Sequence, residues 1–356
     1  MGHLNLSRSI PSLSGGELQR LRIAKLLLGK LNDIFIILDE PTSSLHPKEC
    51  KLLCENIKNL TKKNTVIAVD HNKELLKFAD STIFLGPKSG KFGGEIVPKE
   101  MYMKNFNSNF KRKFFESKKT LRIDLNSDKI KFNDALKIRL GSLTGISSMS
   151  GVGKSTILRE ILPEKLIGYK YISQKPIRAN VNSTVATYSG LFTYIKDEFA
   201  KNIKNYSFKD LICKKCAGKG KIAYLENYGT KIYEDCKYCN GSGFNNKILK
   251  NKFLGLNIYE ILNSPIKELS SLKFPQKIAE SLNILCKLRL DYLKLNTSIL
   301  SLSGGENQRL KLFSALNDKK NEIYGLDEPT SGLDDLDIYN ILDLLYEFIE
   351  KKVKLL

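Results

Sequence analysis

Leu13–Leu27 reads LSGGELQRLRIAKLL, and Leu302–Leu316 reads LSGGENQRLKLFSAL. The two strings align without a gap. Each is followed by a second shared string, LDEPTSSL from Leu38 and LDEPTSGL from Leu326. Two strings recurring in the same order identify a duplicated domain, with a period far too long for a solenoid. Around the first pair the apolar pattern alternates. Leu18, Leu21, Ala24, Leu27 and Leu28 recur at helical spacing and predict the buried face of a helix that LSGGE opens. Ile34 to Leu38 is a continuous apolar run, the pattern of a strand buried on both faces of a parallel sheet. Lys48 to Leu60 predicts a helix. Thr65 to Val69 predicts a second buried strand, ending at Asp70-His71. Helices and strands in this alternation define an α/β fold.

Working outward gives the domain plan. Residues 1–98 form the later part of copy one, so the sequence reads as starting part-way through that copy. Residues 99–118, rich in Lys, Asn and Phe, read as a linker. Residues 119–356 form copy two, with a cysteine-bearing insertion at 205–247. At 356 residues the chain has room for two or three domains of roughly 150 residues each. A hydrophobic fraction of 42% with 27% charged residues excludes global disorder. No apolar run approaches the roughly 18 residues of a membrane helix. The start, MGHLNLSRS, carries no apolar signal region, which points to a cytoplasmic protein and no membrane partner. The net charge of +20 favours polyanions, nucleic acid above all; a general lysine bias is the other reading.

Residues 148–155 read SMSGVGKS, followed by Thr156. The P-loop pattern is G-x-x-x-x-G-K-[ST], and Ser148 departs from its first glycine. The remaining chemistry is intact. Gly151 and Gly153 let backbone N–H groups approach phosphate oxygens. Lys154 suits the β- and γ-phosphates of ATP, and the Ser155 hydroxyl suits Mg²⁺. A bare Gly/Ser turn is the alternative. Against it stands the acidic pair after an apolar strand: Asp327 suits indirect Mg²⁺ coordination, and Glu328 suits positioning of an attacking water.

The seven cysteines are odd in number, in a chain without a secretory signal, which argues against a disulfide framework. Cys213-x-x-Cys216 and Cys236-x-x-Cys239, nineteen residues apart, have the spacing of a structural zinc site with four thiolates. Each pair continues as C-x-x-C-x-G-x-G. Lys214, Lys215, Lys219, Lys221 and Lys237 surround the pairs; they suit phosphate contact, or form a solvated face. Cys50 and Cys54, one helical turn apart, read as half-buried small residues, and Cys286 as core. His46 reads as a surface residue or one near a domain joint. Tyr188 and Phe192 could stack on bases, with core packing the better reading.

LSGGE-x-QR, LDEPTS and the P-loop together resemble the ATP-binding cassette (ABC) ATPases. MGHLNLSRSIPSLSGGELQRLRIA, VIAVDHNKELLKFAD, LGPKSGKFGGEIV, SQKPIRANVNSTVATYSG and LRLDYLKLNTSILSLSGGENQRLKL further resemble the UvrA family, the damage-recognition ATPases of bacterial nucleotide excision repair. This resemblance runs nearly end to end. It implies two facing cassettes, with each ATP between the P-loop of one and the LSGGE of the other. Gln174 is then the loop glutamine that senses Mg²⁺ and water. Ser14, Gly15, Gly16 and Glu17 would meet the ATP held by Gly151, Gly153, Lys154, Ser155 and Thr156. Asp39, Glu40, His71, Ser303, Gly304, Gly305 and Glu306 are the partner-cassette residues, with His71 the switch histidine. The implied activity is ATP-controlled binding of damaged double-stranded DNA without DNA cutting. The implied cofactors are ATP, Mg²⁺ and Zn²⁺, and self-dimerisation is a further implied contact.

The sequence departs from that pattern at several points. Copy one shows no P-loop, and copy two shows no switch histidine. One ATP site is expected nearly complete and the other as half a site. The family's usual UvrB-docking region is not in the matched stretch, which puts that partner in doubt. Two other roles remain open: a paralogue for resistance to DNA-binding drugs, and a catalytically decayed DNA-binding fragment.

Overall fold

The computed structural model describes residues 7, 15–29, 32–42, 45, 47–70, 72–86, 94–104, 113, 119–125, 135–147, 153–180, 182–202, 211–225, 231–317, 323–331, 333 and 335–353. Two compact units divide the chain. One holds Met1–Lys175 and Lys319–Leu356, and the other holds Pro176–Asp318.

The first unit begins with α1 (Gly15–Leu27), β1 (Phe35–Asp39), α2 (Pro47–Leu60), β2 (Thr65–Val69) and α3 (Lys73–Phe78). It continues with β3 (Phe84–Gly86), β4 (Glu95–Val97), α4 (Lys99–Lys104), β5 (Thr120–Ile123) and β6 (Leu136–Arg139). A helical run from Lys154 to Lys165 follows, made of α5 (Lys154–Thr156), a π-helical turn (Ile157–Ile161) and α6 (Leu162–Lys165), and then β7 (Tyr169–Ile172). β10 (Ile323–Leu326) and α14 (Asp335–Val353) complete the unit.

β1 and β2 pair in parallel, from Phe35↔Thr65 to Asp39↔Val69. Their buried face is one side only. Ile23, Ile36, Leu38, Leu53, Cys54, Ile57 and Leu75 form a small core under α1, α2 and α3. Two expectations about this region are corrected. The strands are parallel, but Phe35 (75% exposed), Ile37 (72%), Ile67 (49%) and Val69 (59%) are open on the opposite face. The helix opened by LSGGE buries Ile23, whereas Leu21, Leu27 and Leu28 are exposed and Leu18 and Ala24 are half-buried. Both errors have one cause. An apolar run records what a residue tolerates, and burial also needs a second layer to lie against that face. The stretch read as a linker also contains a short helix, α4, at its start.

β10 and β7 form the second parallel pair, from Ile323↔Tyr169 to Leu326↔Ile172. β5 and β6 pair antiparallel. The core here comprises Ile123, Leu125, Ile157, Ile161 and Leu162, with Leu158 and Tyr169 packed against it. Tyr169 reaches along the sheet so that its hydroxyl donates to the Leu158 carbonyl at 2.7 Å. Its ring crosses Gly325, where an added Cβ would lie 1.7 Å from the Tyr169 oxygen.

The second unit is helical: α7 (Val185–Tyr188), α8 (Leu191–Asn202), α9 (Asn246–Leu249), α10 (Ile258–Asn263), α11 (Ile266–Ser270), α12 (Gln276–Lys287) and α13 (Gly304–Leu316). Within the cysteine insertion β8 (Lys221–Leu225) and β9 (Lys231–Asp235) pair antiparallel. Capping boxes start α7, α10 and α13, with Thr184, Asn257 and Ser303 as caps. Phe199, Phe313, Leu191, Ile195, Ile258 and Ile278 are fully buried. Cys286 is half-buried, while Cys50 and Cys54 in the first unit are fully buried rather than half-buried. Tyr188 and Phe192 are half-buried. Among the described residues no helix is long and apolar enough to cross a membrane.

The Gly325 geometry makes a prediction. Gly325→Ala forces the Tyr169 ring off the strand and breaks its bond to Leu158. The expected loss is about 1–3 kcal/mol, the usual cost of overpacking. The denaturant midpoint measures it, and an unchanged midpoint would contradict the close approach.

Candidate nucleotide site and cysteine centre

The parallel ladder positions the acidic pair. The register continues one step past the strand end, where Asp327 N–H donates to the Ile172 carbonyl at 3.0 Å. Asp327 therefore sits beside the end of β7 and is 7% exposed. Gly153 precedes the helical run with φ 96°, a left-handed conformation that only glycine adopts without strain. Lys154, Ser155 and Thr156 form the first turn. Ser155 Oγ donates to Asp327 Oδ1 at 3.3 Å. Gln174 Nε2 donates to Glu328 Oε2 at 2.6 Å. Five residues singled out from the sequence thus stand in one place: Lys154 and Ser155 at a helix start, Asp327 and Glu328 after β10, and Gln174 after β7.

Glu328 has φ 47°, left-handed backbone at a residue with a side chain. Glu40, its counterpart in copy one, has φ 44°. Such strain persists where the surroundings enforce it, often at functional sites. Here the turn carries the chain off the strand, with the Glu328 carboxylate held by Gln174.

Sequence reasoning missed Tyr171. Its hydroxyl donates to Asp327 Oδ2 at 2.8 Å. Burial, then the bond to Asp327 and its charge, hold this phenol well above the ordinary tyrosine range, so it stays a donor. The available signal was the alternation Tyr169-x-Tyr171 opposite Ile323-x-Gly325, which continues two residues on to Asp327 on the same face.

In copy one Asp39 is exposed, and Glu40 N–H donates to the Val69 carbonyl at 2.8 Å. Asp70 accepts from Thr42 N–H and from Asn72 N–H, each at 2.9 Å. Gly15, Gly16 and Glu17 open α1 as expected. Ser14, His46, His71, Ser148 and Gly151 lie outside the described residues. Cys54 is pushed up to about 11, chiefly by burial, which leaves an unreactive thiol.

The copy-two signature is fully formed. Ser303 caps α13: its Oγ accepts from Glu306 N–H at 3.2 Å, and Glu306 Oε2 accepts from Ser303 N–H at 2.7 Å. The Tyr292 hydroxyl holds the other carboxylate oxygen of Glu306. Ser303 and Gly304 remain exposed, and Gly305 is half-buried.

The cysteine centre is two copies of one turn. Cys213, Cys216, Cys236 and Cys239 are all buried, with their sulfurs within 4.8 Å of one another. Cys213–Cys236 is 4.0 Å and Cys216–Cys239 is 3.7 Å. A tetrahedral zinc with Zn–S of about 2.3 Å would set sulfurs roughly 3.8 Å apart, so the four donors fit. Gly220 N–H points at Cys216 Sγ, and Gly243 N–H at Cys239 Sγ, each at 3.3 Å. Burial opposes ionisation of Cys213, but N–H groups of Cys216 and Lys215 bring it down to about 7. Cys239 is pushed up to about 12, chiefly by burial. Four buried sulfurs gathered this closely could hold one metal ion.

A parallel ladder that ends in an acidic pair beside a glycine-led helix start defines a P-loop ATPase cassette. The sequence profile described as ABC transporter matches residues 132–331, and the chain belongs to that family of ATP-binding cassette proteins. More particularly, it is similar to the UvrABC system protein A of Borreliella burgdorferi, with 34% identity over 98% of this chain and 42% of that protein. The Helicobacter pylori protein of the same name matches at 34% over 98% of this chain and 43% of its own. The crystal structure of UvrA2 from Deinococcus radiodurans superposes with a TM-score of 0.83 at 29% identity, covering 98% of this chain and 48% of that one. The chain therefore spans less than half the length of these relatives.

The paired glycines make a prediction. A Cβ on Gly220 would lie 2.3 Å from the Gly241 carbonyl oxygen, so backbone must move. Gly255 has a similar φ of 84° with nothing within 4 Å of an added Cβ. Gly255→Ala is expected to cost only the about 1–2 kcal/mol of a left-handed residue. Gly220→Ala is expected to open the cysteine module as well. Limited proteolysis of both variants measures this: cleavage between residues 211 and 249 rises in the Gly220 variant alone.

Proposed function

We propose that this chain acts in nucleotide excision repair as a UvrA-like subunit that binds damaged duplex DNA under control of ATP hydrolysis. The observation that supports this best is the meeting of Ser155 with Asp327 and of Gln174 with Glu328 across 172 and 154 positions of sequence. The likeness to UvrABC system protein A over 98% of the chain adds the repair context.

In this reading Lys154 and the N–H groups of the first helical turn hold the phosphates. Ser155 and Asp327 hold Mg²⁺, which would supply positive charge at the phosphoryl group being transferred. Glu328 orients and polarises the attacking water, and Gln174 holds the Glu328 carboxylate in place. Ser14, Gly15, Gly16 and Glu17 contribute the signature against the same nucleotide. The division into residues 1–98, 99–118 and 119–356, with 205–247 as a zinc-bearing insertion, follows the same logic.

Cys213, Cys216, Cys236 and Cys239 hold a structural zinc, because all four positions are protein thiolates and none is left for a substrate. The module would carry the DNA surface. Lys214, Lys215, Lys219, Lys221 and Lys237 are all exposed around it. Tyr238 is 63% exposed, with Lys215 Nζ 5.2 Å from its ring centre. Cations of this kind contact phosphates, so recognition rests on duplex shape and deformability rather than base sequence. A cytoplasmic location and self-association accompany this role.

The test is equilibrium binding of the purified, zinc-loaded chain to matched duplexes with and without a bulky lesion. The lesion duplex is expected to bind more tightly. Replacing the five lysines by alanine should weaken both duplexes together. It should also flatten the salt dependence, by about 0.9 in log–log slope for each phosphate that is no longer neutralised. Metal analysis of the same preparation should find one zinc per chain. Equal binding of the two duplexes would overturn the damage-recognition reading, and a zinc-free chain would overturn the module assignment.

A further inference from the structure

Both oxygens of the Asp327 carboxylate are held by hydroxyls, and the two hydroxyls differ in kind. Ser155 is exposed and its bond to Oδ1 is long, 3.3 Å. Tyr171 is half-buried and its bond to Oδ2 is 2.8 Å. Ser155 stands at the helix start, where its hydroxyl is free to turn from Oδ1 toward a cation. Tyr171 has no such freedom. It lies inside β7, paired with Gly325 in the ladder that also carries Asp327, and the next residue, Ile172, accepts the Asp327 N–H.

The sheet explains why a tyrosine can reach this carboxylate. Tyr169, Tyr171, Gly325 and Asp327 share one face, because side chains alternate along a strand. Both tyrosines lean in the same direction along that face. Tyr169 crosses Gly325 on its way to the Leu158 carbonyl, and Tyr171, opposite Gly325, reaches Asp327. The absent side chain at Gly325 is what lets the two rings lie along the sheet together.

We propose that Tyr171 is a positioning residue for the cation site: it fixes the rotation of the Asp327 carboxylate so that Oδ1 faces Ser155 and the cation. Tyr171 would act through Asp327, whose Oδ2 its hydroxyl holds, and not as a ligand itself. Its bond is on the oxygen turned away from Ser155, so cation binding leaves it in place. A carboxylate held this way loses no rotational freedom when the cation arrives, which raises cation affinity. This inference rests on the nucleotide-site reading above.

The test is equilibrium binding of a fluorescent ATP analogue, titrated with Mg²⁺ from an EDTA baseline. Wild type is compared with Tyr171→Phe, Tyr169→Phe and Lys154→Ala. Tyr171→Phe keeps the ring and removes only the hydroxyl. It is expected to raise the half-saturating Mg²⁺ concentration about tenfold, a usual effect of removing a group that orients a metal ligand, while leaving analogue affinity in EDTA unchanged. Tyr169→Phe removes a hydroxyl two residues away that bonds Leu158, and should titrate as wild type. A Mg²⁺ requirement unchanged in Tyr171→Phe overturns the proposal. So does an equal rise in both tyrosine variants, which would make the effect one of packing. If wild type binds the analogue no better than Lys154→Ala, the nucleotide site itself is wrong and the proposal falls with it.

Discussion

The hydrogen-bonded ladder between β7 and β10 carries the proposed nucleotide site. It joins residues about 150 positions apart in sequence, Tyr169–Ile172 with Ile323–Leu326. The contacts that Asp327 and Glu328 make with Ser155, Tyr171 and Gln174 depend on that register. A slip of one residue would turn Asp327 to the opposite face of the sheet, away from Ser155 and Tyr171. The register is pinned by shape as well as by hydrogen bonds, since only at Gly325 is there room for the Tyr169 ring. Fold and site are therefore set by the same close approach.

The two copies show what that ladder does by contrast. Both turn sharply after the strand, with Glu40 and Glu328 at nearly the same left-handed φ. In copy two Asp327 is buried and held by two hydroxyls, whereas in copy one Asp39 is exposed. The turn is thus a property of the LDEPTS string itself. The environment of the aspartate comes from the strand and helix packed beside it. The cysteine module repeats the lesson on a smaller scale. Ala217 and Asn240, one in each C-x-x-C-x-G-x-G, adopt φ of 50° and 48°.

Much of this was legible in the sequence, because phosphate and metal chemistry demand fixed local spacing. Lys154-Ser155, Asp327-Glu328, the two signatures and the four cysteines could be read from their strings alone. The parallel α/β arrangement was legible from alternating apolar runs. Other features were not. Burial of Leu21, Leu27 and Leu28 was expected and is absent, and Ile37 and Val69 are open on one side. Those errors concern which layers lie over a face, and no local pattern records that. Tyr171 was missed because its bond to Asp327 depends on a strand register across 156 positions.

If the cassette works as proposed, the residues gathered at Asp327 hydrolyse ATP. Steady-state ATP turnover by the purified chain, measured beside Lys154→Ala and Glu328→Gln and with and without lesion-bearing duplex, tests this most directly. The predicted result is turnover that both substitutions abolish and that the lesion changes. Turnover no greater than that of Lys154→Ala, or turnover that survives Glu328→Gln, would contradict it.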